Sequence, residues 1–305
     1  MIRLLKQTEI NRHRWDQVVL SSQNAMPYAK SWYLDAVFGD RWSALIEDDY
    51  KAVMPLPIKE KYFVKYLATP LFTQQLGIFS VEELSADRIN LFISELQKHV
   101  KFIDFNLNFA NLGLSLDSCS IKTRHNLILK VPINRDHFLL GYSENLRRNI
   151  KKAEGLGLYL STCSIRSIIN LFSADKAATI PNWKTEYYNV LERLYHMAAL
   201  RGNARTLGIY SAERELLCGA CFLEWNGRSI FLFSGNSIEG KESGAMAYLI
   251  HLYLLEMPEG TEIFDFEGSD NPGLKRFYES FGAIEQNYLN LKHNSLPFYI
   301  RWLKS

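Results

Sequence analysis

The chain has 305 residues, longer than the ~100–150 of a typical single domain, so two halves are the better expectation. Hydrophobic residues make up 47% and aromatics 13%, enough apolar surface to fill cores and too much for extended disorder. With 35 basic against 33 acidic residues the net charge is +2, which excludes the globally basic footprint of a DNA-binding protein and leaves room only for a local stripe.

The opening run MIRLLKQTEINRHRWD lacks the apolar core of a signal peptide, and no later segment reaches the ~18 uninterrupted apolar residues of a spanning helix. A cytoplasmic protein without a membrane span is the expectation. Four cysteines, Cys119, Cys163, Cys218 and Cys221, are too scattered for a disulfide framework. Cys218 and Cys221 form a C-x-x-C inside the strand-like run LLCGACFLEW, where residues three apart point to opposite sheet faces. They read as packed thiols, and no metal site is expected.

In chain order, Trp15 to Leu20 belongs to a first helix and SWYLDAV from Ser31 to a second; WSALIEDDYKAVMPLPI then reads as two strands joined at Asp48 and Asp49. Residues 59 to 80 are extended and aromatic, punctuated by Pro70 and Gly77. Within them PLFTQQLGIF sets Thr73, Gln74 and Gln75 beside aromatic rings, a candidate lining for an acceptor cleft. A helix capped by Ser85 runs through Ile89, Phe92, Ile93 and Leu96 to Val100, followed by the strand FIDFNLNF. RHNLILKVPI from Arg124 reads as one further strand, ended by Pro132 and Asn134.

At Ser143 the pattern changes. SENLRRNIKKAE carries Leu146, Ile150 and Ala153 along one stripe and Arg147, Arg148, Lys151 and Lys152 around the rest, which predicts a basic amphipathic helix. The stripe admits two readings, a steering surface for a phosphorylated donor or substrate and a plain solvated face. The boundary between the halves is placed just before this helix, giving residues 1–140 and 141–305.

The second half continues with a helix from about Asn182 to Arg201, then ELLCGACFLEW, a turn at Asn226-Gly227, and RSIFLFSGN. Asn-Gly between two apolar runs is a hairpin signal, because both central residues of that turn need positive φ. A loop SIEGKESG leads into AMAYLIHLYLLEM, a helix apolar nearly all round and therefore buried on more than one side. The strand EIFDFEG, a short helix around Gly273 to Phe281 and the strand YLNLKH complete an α/β (α+β) order of mixed sheets flanked by helices. No internal repeat stands out. His196 and His251 lie on apolar helices and read as core histidines.

The chemistry concentrates in DNPGLKRFYESFGA. Asn271, Leu274 and Tyr278 are spaced so that they share one helix face, Gly282 marks the helix end, and Tyr278 points inward with Phe277 and Phe281 securing it. The segment Asn271-x-x-Leu274-x-x-x-Tyr278-x-x-x-Gly282 resembles the Asn-x-x-Ala-x-x-x-Tyr-x-x-x-Gly segment of the GNAT acyltransferases, with leucine in place of alanine. SENLRRNIKKAEGLGL together with IFDFEGSDNPGLKRFYESFGA resembles the Fem-type aminoacyl ligases and their relatives, which have two GNAT-like halves and a strand ending in Asp-Phe-x-Gly. In those ligases a lysine commonly follows the phenylalanine where this chain has Tyr278. That difference brings the site nearer to ordinary GNAT acyl transfer.

The resemblance implies tandem GNAT-like halves with the transfer site in the second. A phenolic O–H within reach of a departing thiolate can stabilise or protonate it, which makes Tyr278 the candidate donor; the alternative is a ring that only packs. Asp265 and Glu267 alternate with Phe264 and Phe266, so both carboxylates are expected on one side, as a base for the amine or, for Asp265, as a structural acceptor. Glu224 is a further base candidate. Phe233, Ser234 and Asn271 are candidate donor contacts, and Gly240, Lys241, Ser243 and Gly244 either offer N–H groups to a pyrophosphate or form a solvated loop.

Three functions follow. The leading one moves an acyl group from acetyl-CoA or another acyl-CoA to a small-molecule or peptide amine by direct attack, since no Ser-His-Asp or Cys-His constellation stands out. The Fem resemblance implies an alternative, transfer from aminoacyl-tRNA to a cell-wall peptide precursor, with tRNA as partner. The third is a binding module that keeps the fold without catalysis.

Overall fold

The computed structural model describes residues 1–297 except Tyr62, Asn182 and Ser269, with all their side chains but that of Ala178. The chain divides into two compact units, Met1–His125 together with the segment from Gln286 onward, and Asn126–Glu285. The expected boundary at 140/141 is thus displaced to His125–Asn126, and the chain crosses a second time near its end. The strands give the reason.

The first unit contains β1 (Ile2–Lys6), α1 (Arg12–Ser21), α2 (Ser31–Phe38), β2 (Ser43–Glu47), β3 (Ala52–Leu56), β4 (Ile58–Lys61), β5 (Val64–Ala68), β6 (Phe79–Ser80), α3 (Ala86–His99), β7 (Phe102–Asn106) and β8 (Ser120–Arg124). The second contains β9 (Leu127–Lys130), α4 (Phe138–Gly141), α5 (Glu144–Gly155), β10 (Tyr159–Thr162), α6 (Ile165–Asp175), α7 (Glu186–Ala199), β11 (Ala204–Tyr210), β12 (Leu216–Trp225) and β13 (Arg228–Asn236), followed by α8 (Ile238–Ser243), α9 (Ala245–Glu256), β14 (Ile263–Asp265), α10 (Pro272–Glu279) and β15 (Ile284–Glu285). The last strand among the described residues, β16 (Tyr288–Asn294), returns to the first unit.

RHNLILKVPI is therefore not one strand. It breaks at His125 and Asn126 into the end of β8 and β9, which lie in different sheets. Among the described residues the first unit has a sheet β1-β2-β3-β6 and another β4-β5-β7-β16-β8, and the second has one sheet, β10-β11-β12-β13-β14-β9-β15. In both units one parallel pair spans three residues, Tyr66–Ala68 with Phe102–Asp104 and Arg228–Ile230 with Ile263–Asp265. Both pairs are joined by helical crossovers, as parallel strands require. Beside each pair lies an antiparallel strand supplied by a chain crossing, β16 next to β7 and β9 next to β14. This shared plan is a structural repeat that no similarity of residues announces.

Local chemistry sets the element ends. Ser85, Ser143 and Ser164 accept hydrogen bonds from backbone N–H groups three residues on, capping α3, α5 and α6. Asn226 and Gly227 take φ of 48° and 72°, closing the β12–β13 hairpin as predicted. The segment SIEGKESG is a helix rather than a loop: the Ser237 side chain accepts from Gly240 N–H, and Gly244, at φ 77°, turns α8 into α9. The start of α7 is Glu186; the expected start at Asn182 lies outside the described residues.

The seven-stranded sheet is covered on both faces, which explains why β12 is apolar on consecutive residues. Cys218, Ala220 and Phe222 join the core built with α5 and α9, where Phe222 stacks on Tyr253 at 3.6 Å. On the other face α6 comes so close that a Cβ at Gly235 would sit 2.5 Å from the Ile168 carbonyl oxygen. Cys218 and Cys221 are both fully buried free thiols. His251 is buried, but His196 is exposed on α7, contrary to the core expectation, because the helix buries Leu191, Leu194 and Ala198 instead. No described helix is long and apolar enough to cross a membrane.

Candidate functional site

β13 and β14 share only three residue pairs, after which they part. β14 ends at Asp265, while β13 runs on from Phe231 to Asn236 with no strand on that side among the described residues. A bulge at Leu232 accompanies the divergence: Phe222 pairs with Phe231 and Cys221 with Phe233, leaving Leu232 extra. Such a bulge bends a strand and re-aims its neighbours. The result is a wedge in the sheet with Phe233 and Ser234 on one arm and the residues after Asp265 on the other.

In the first unit the corresponding place is filled by the chain itself. After the parallel pair, Thr69 N–H bonds to Asp104 O at 3.0 Å, Leu76 N–H to Asn106 O at 3.2 Å, and the Asn106 amide to Gln74 O at 2.9 Å. Gln75 is fully buried, and its Oε1 accepts from Phe109 N–H at 2.9 Å. The structure thus places Gln74 and Gln75 in this filling segment. A groove of about 900 Å³ lies elsewhere in the first unit, and its lining includes Asp104, Asn106, Arg124, Asn290, Lys292 and His293. There the Asn290 amide donates to Asp104 Oδ1 and Asn106 Oδ1, both at 2.9 Å.

On the β14 arm the expected alternation of Asp265 and Glu267 is lost. Phe264, Asp265 and Phe266 are all buried, and Glu267 has φ 57°, outside any strand conformation. The cause is Asp265 itself, whose Oδ1 accepts from Glu267 N–H at 2.9 Å and folds the chain into a turn. Its Oδ2 is paired with the Arg228 guanidinium, and both side chains are buried. Arg228 escaped the sequence reading: a lone charge opening an apolar strand was visible, its partner was not.

Tyr278 is carried by α10, which Asn271 caps by accepting from Gly273 and Leu274 N–H. Asn271 thus stands at the helix start, Leu274 is 37% exposed, and Tyr278 is turned inward at 8%. The Tyr278 ring stacks on Phe266, and Phe281 packs on Phe266 and Phe277. Burial, and secondly the charge of Glu267, push the phenol well above its ordinary pKa. A left-handed Gly282, φ 85°, closes the segment against Gly141.

The α8 segment is committed to packing. A Cβ at Gly240 would overlap the Leu217 carbonyl oxygen, Ser243 Oγ donates back to Gly240 O, and Lys241 is ion-paired with Asp175. Glu224 pairs across the strands with Ser229, five residues and roughly 16 Å along β13 from Ser234. Its Oε1 accepts from Arg205 Nε and from Tyr253 Oη, each at 2.7 Å. Glu267 and Tyr278 are near enough for the carboxylate charge to act on the phenol, Phe233 packs on Phe172 of α6 with Ser234 opposite Ala220 on β12, and Glu224 is left at the opposite, paired end. Among the described residues no three His, Cys, Asp or Glu side chains cluster as metal ligands would.

No family model matches the sequence, and no curated protein matches it. Solved structures do. The chain is similar to FemX at 14% identity and TM-score 0.66, covering 97% of this chain and 98% of that one. It is similar to L-PGS from Bacillus licheniformis at 14% identity and TM-score 0.53, covering 92% and 96%. A tandem GNAT protein from the clavulanic acid biosynthesis pathway matches at 11% identity and TM-score 0.55, covering 97% and 99%. The fold is a tandem GNAT-like, Fem-type α/β fold.

Proposed function

We propose that the chain moves an acyl group from a coenzyme A thioester to an amine acceptor by direct attack in the wedge between β13 and β14. Its fold is that of acyl and aminoacyl transferases. The observation that carries the reading is Tyr278, a phenol turned inward on α10 with its ring stacked on Phe266, on the arm that also bears Glu267. The amine nitrogen forms a bond to the acyl carbon as the carbon–sulfur bond breaks. The phenol donates its proton to the leaving sulfur, Glu267 takes the proton lost by the amine, and transfer from Glu267 to Tyr278 resets the pair.

A second donor, aminoacyl-tRNA, is favoured by one observation. α8 occupies the segment where a pyrophosphate-cradling loop would lie, and Gly240 and Lys241 are spent on Leu217 and Asp175. In that case the leaving atom is a ribose oxygen and Tyr278 keeps its role. Calorimetry with acetyl-CoA and with charged tRNA separates the two. Heat from either, followed by transfer to an amine that Tyr278→Phe slows, supports the enzyme; heat from neither leaves a binding module.

A further inference from the structure

Helix α5 displays Arg147, Arg148, Lys151 and Lys152 on its exposed sides, and among the described residues none of the four is ion-paired with a carboxylate. Lys152 Nζ instead donates to the Glu242 carbonyl at 2.7 Å and Arg147 to the Leu140 carbonyl at 3.5 Å. Two acids share the helix, Glu144 in its first turn and Glu154 near its end, so the cations remain in excess. The last contact joins this charge to a second feature. Leu139 and Leu140, on the single turn of α4, are 44% and 76% exposed, although the neighbouring Phe138 and Tyr142 are buried. Adjacent exposed leucines beside unpaired cations are unusual on a surface that faces only water.

We propose that α4 and the exposed face of α5 form a docking surface for an anionic lipid bilayer, the leucines entering the headgroup boundary and the cations meeting lipid phosphates. Charge complementarity alone would equally fit an RNA backbone; the leucine pair decides for lipid, because aliphatic side chains gain from leaving water for an interface and contribute nothing to phosphate contact. The surface is fixed rather than loose. Ser143 N–H bonds to the Ser280 carbonyl at 2.9 Å, and the Gly141 and Gly282 backbones touch, tying the α4–α5 junction to the end of α10, which carries Tyr278. Docking here holds the wedge of the second unit next to a membrane surface.

The test is co-sedimentation of the full chain with vesicles of phosphatidylcholine alone and of phosphatidylcholine mixed with phosphatidylglycerol, at low and at physiological salt. Binding is expected to the anionic vesicles only and to weaken with salt. Each cation near such a surface contributes about fivefold in partitioning, so the double change Arg148→Glu, Lys151→Glu lowers binding about 25-fold or more. Leu139→Ser with Leu140→Ser lowers it at least ~10-fold without moving the thermal midpoint, since both side chains are exposed. No binding to anionic vesicles overturns the proposal. So does binding that survives the leucine changes; its displacement by uncharged tRNA then identifies an RNA-binding face.

Discussion

The ring of Tyr278 lies 4.7 Å from that of Phe266 and within 26° of parallel to it, so the first residue beyond β14 sets the position of the phenol on α10. The stack is built from carbon. The hydroxyl takes no part in it.

Tyr278→Phe therefore preserves the stack and the burial while removing the proton donor. Turnover should fall by ~100-fold or more with the acceptor KM and the thermal midpoint unchanged. Single-turnover kinetics beside a melting curve make the comparison, and an undiminished rate removes Tyr278 from the mechanism.

Asp265 anchors the turn that presents Glu267. Asp265→Ala leaves Arg228 buried without its carboxylate and should cost roughly 3–5 kcal/mol in urea unfolding. The double variant Arg228→Met, Asp265→Leu should regain most of that stability but not the turnover, because Glu267 loses the hydrogen bond that holds its backbone. A single variant as stable as the parent would show that the pair does not anchor β14.

Cys218 and Cys221 are held well above their ordinary thiol pKa of 9.0 by burial, and Cys163 is pushed up to about 12. A raised folded pKa gives stability that is complete below the unfolded value and is lost as pH rises through it, because the unfolded thiols ionise first. Stability should fall above pH ~9 by roughly 1.4 kcal/mol per pH unit for each buried thiol. Denaturant midpoints measured from pH 7 to 10.5 should flatten in Cys218→Ala, Cys221→Ala; an unchanged slope refutes the assignment.

Ending the chain after Glu285 removes β16, the strand between β7 and β8. The first unit should lose cooperative unfolding while the second, whose sheet is complete without it, keeps its slow-exchanging amides. Hydrogen exchange reads both, and full protection of β7 in the shortened chain would contradict the pairing.

Local physics was legible in the residues. Ser85, Ser143 and Asn271 announce helix starts, Asn226-Gly227 its hairpin, and the all-apolar run after Gly244 a doubly covered helix. The inward turn of Tyr278 was read from its spacing to Asn271 and Leu274; Tyr278 is buried as expected, while Leu274 is 37% exposed. Other features were hidden. SIEGKESG looks like a loop because glycine and charge usually mark one, yet its glycine is there for the close approach of Leu217. Asp265 and Glu267 looked to share one face because alternation is a property of strands, and β14 stops between them.

What the sequence determined by itself is whatever depends on neighbours within a few residues: caps, turns, amphipathic faces and the motif around Tyr278. The partition of β8 and β9 between sheets, the return of β16 to the first unit and the opening between β13 and β14 were decided only by the tertiary structure. Strand partners are chosen by hydrogen bonds between backbones that all residues share, so a strand's sequence says that it pairs and not with which strand. The wedge exists because two strands stop pairing after three residues, a fact written in neither strand alone.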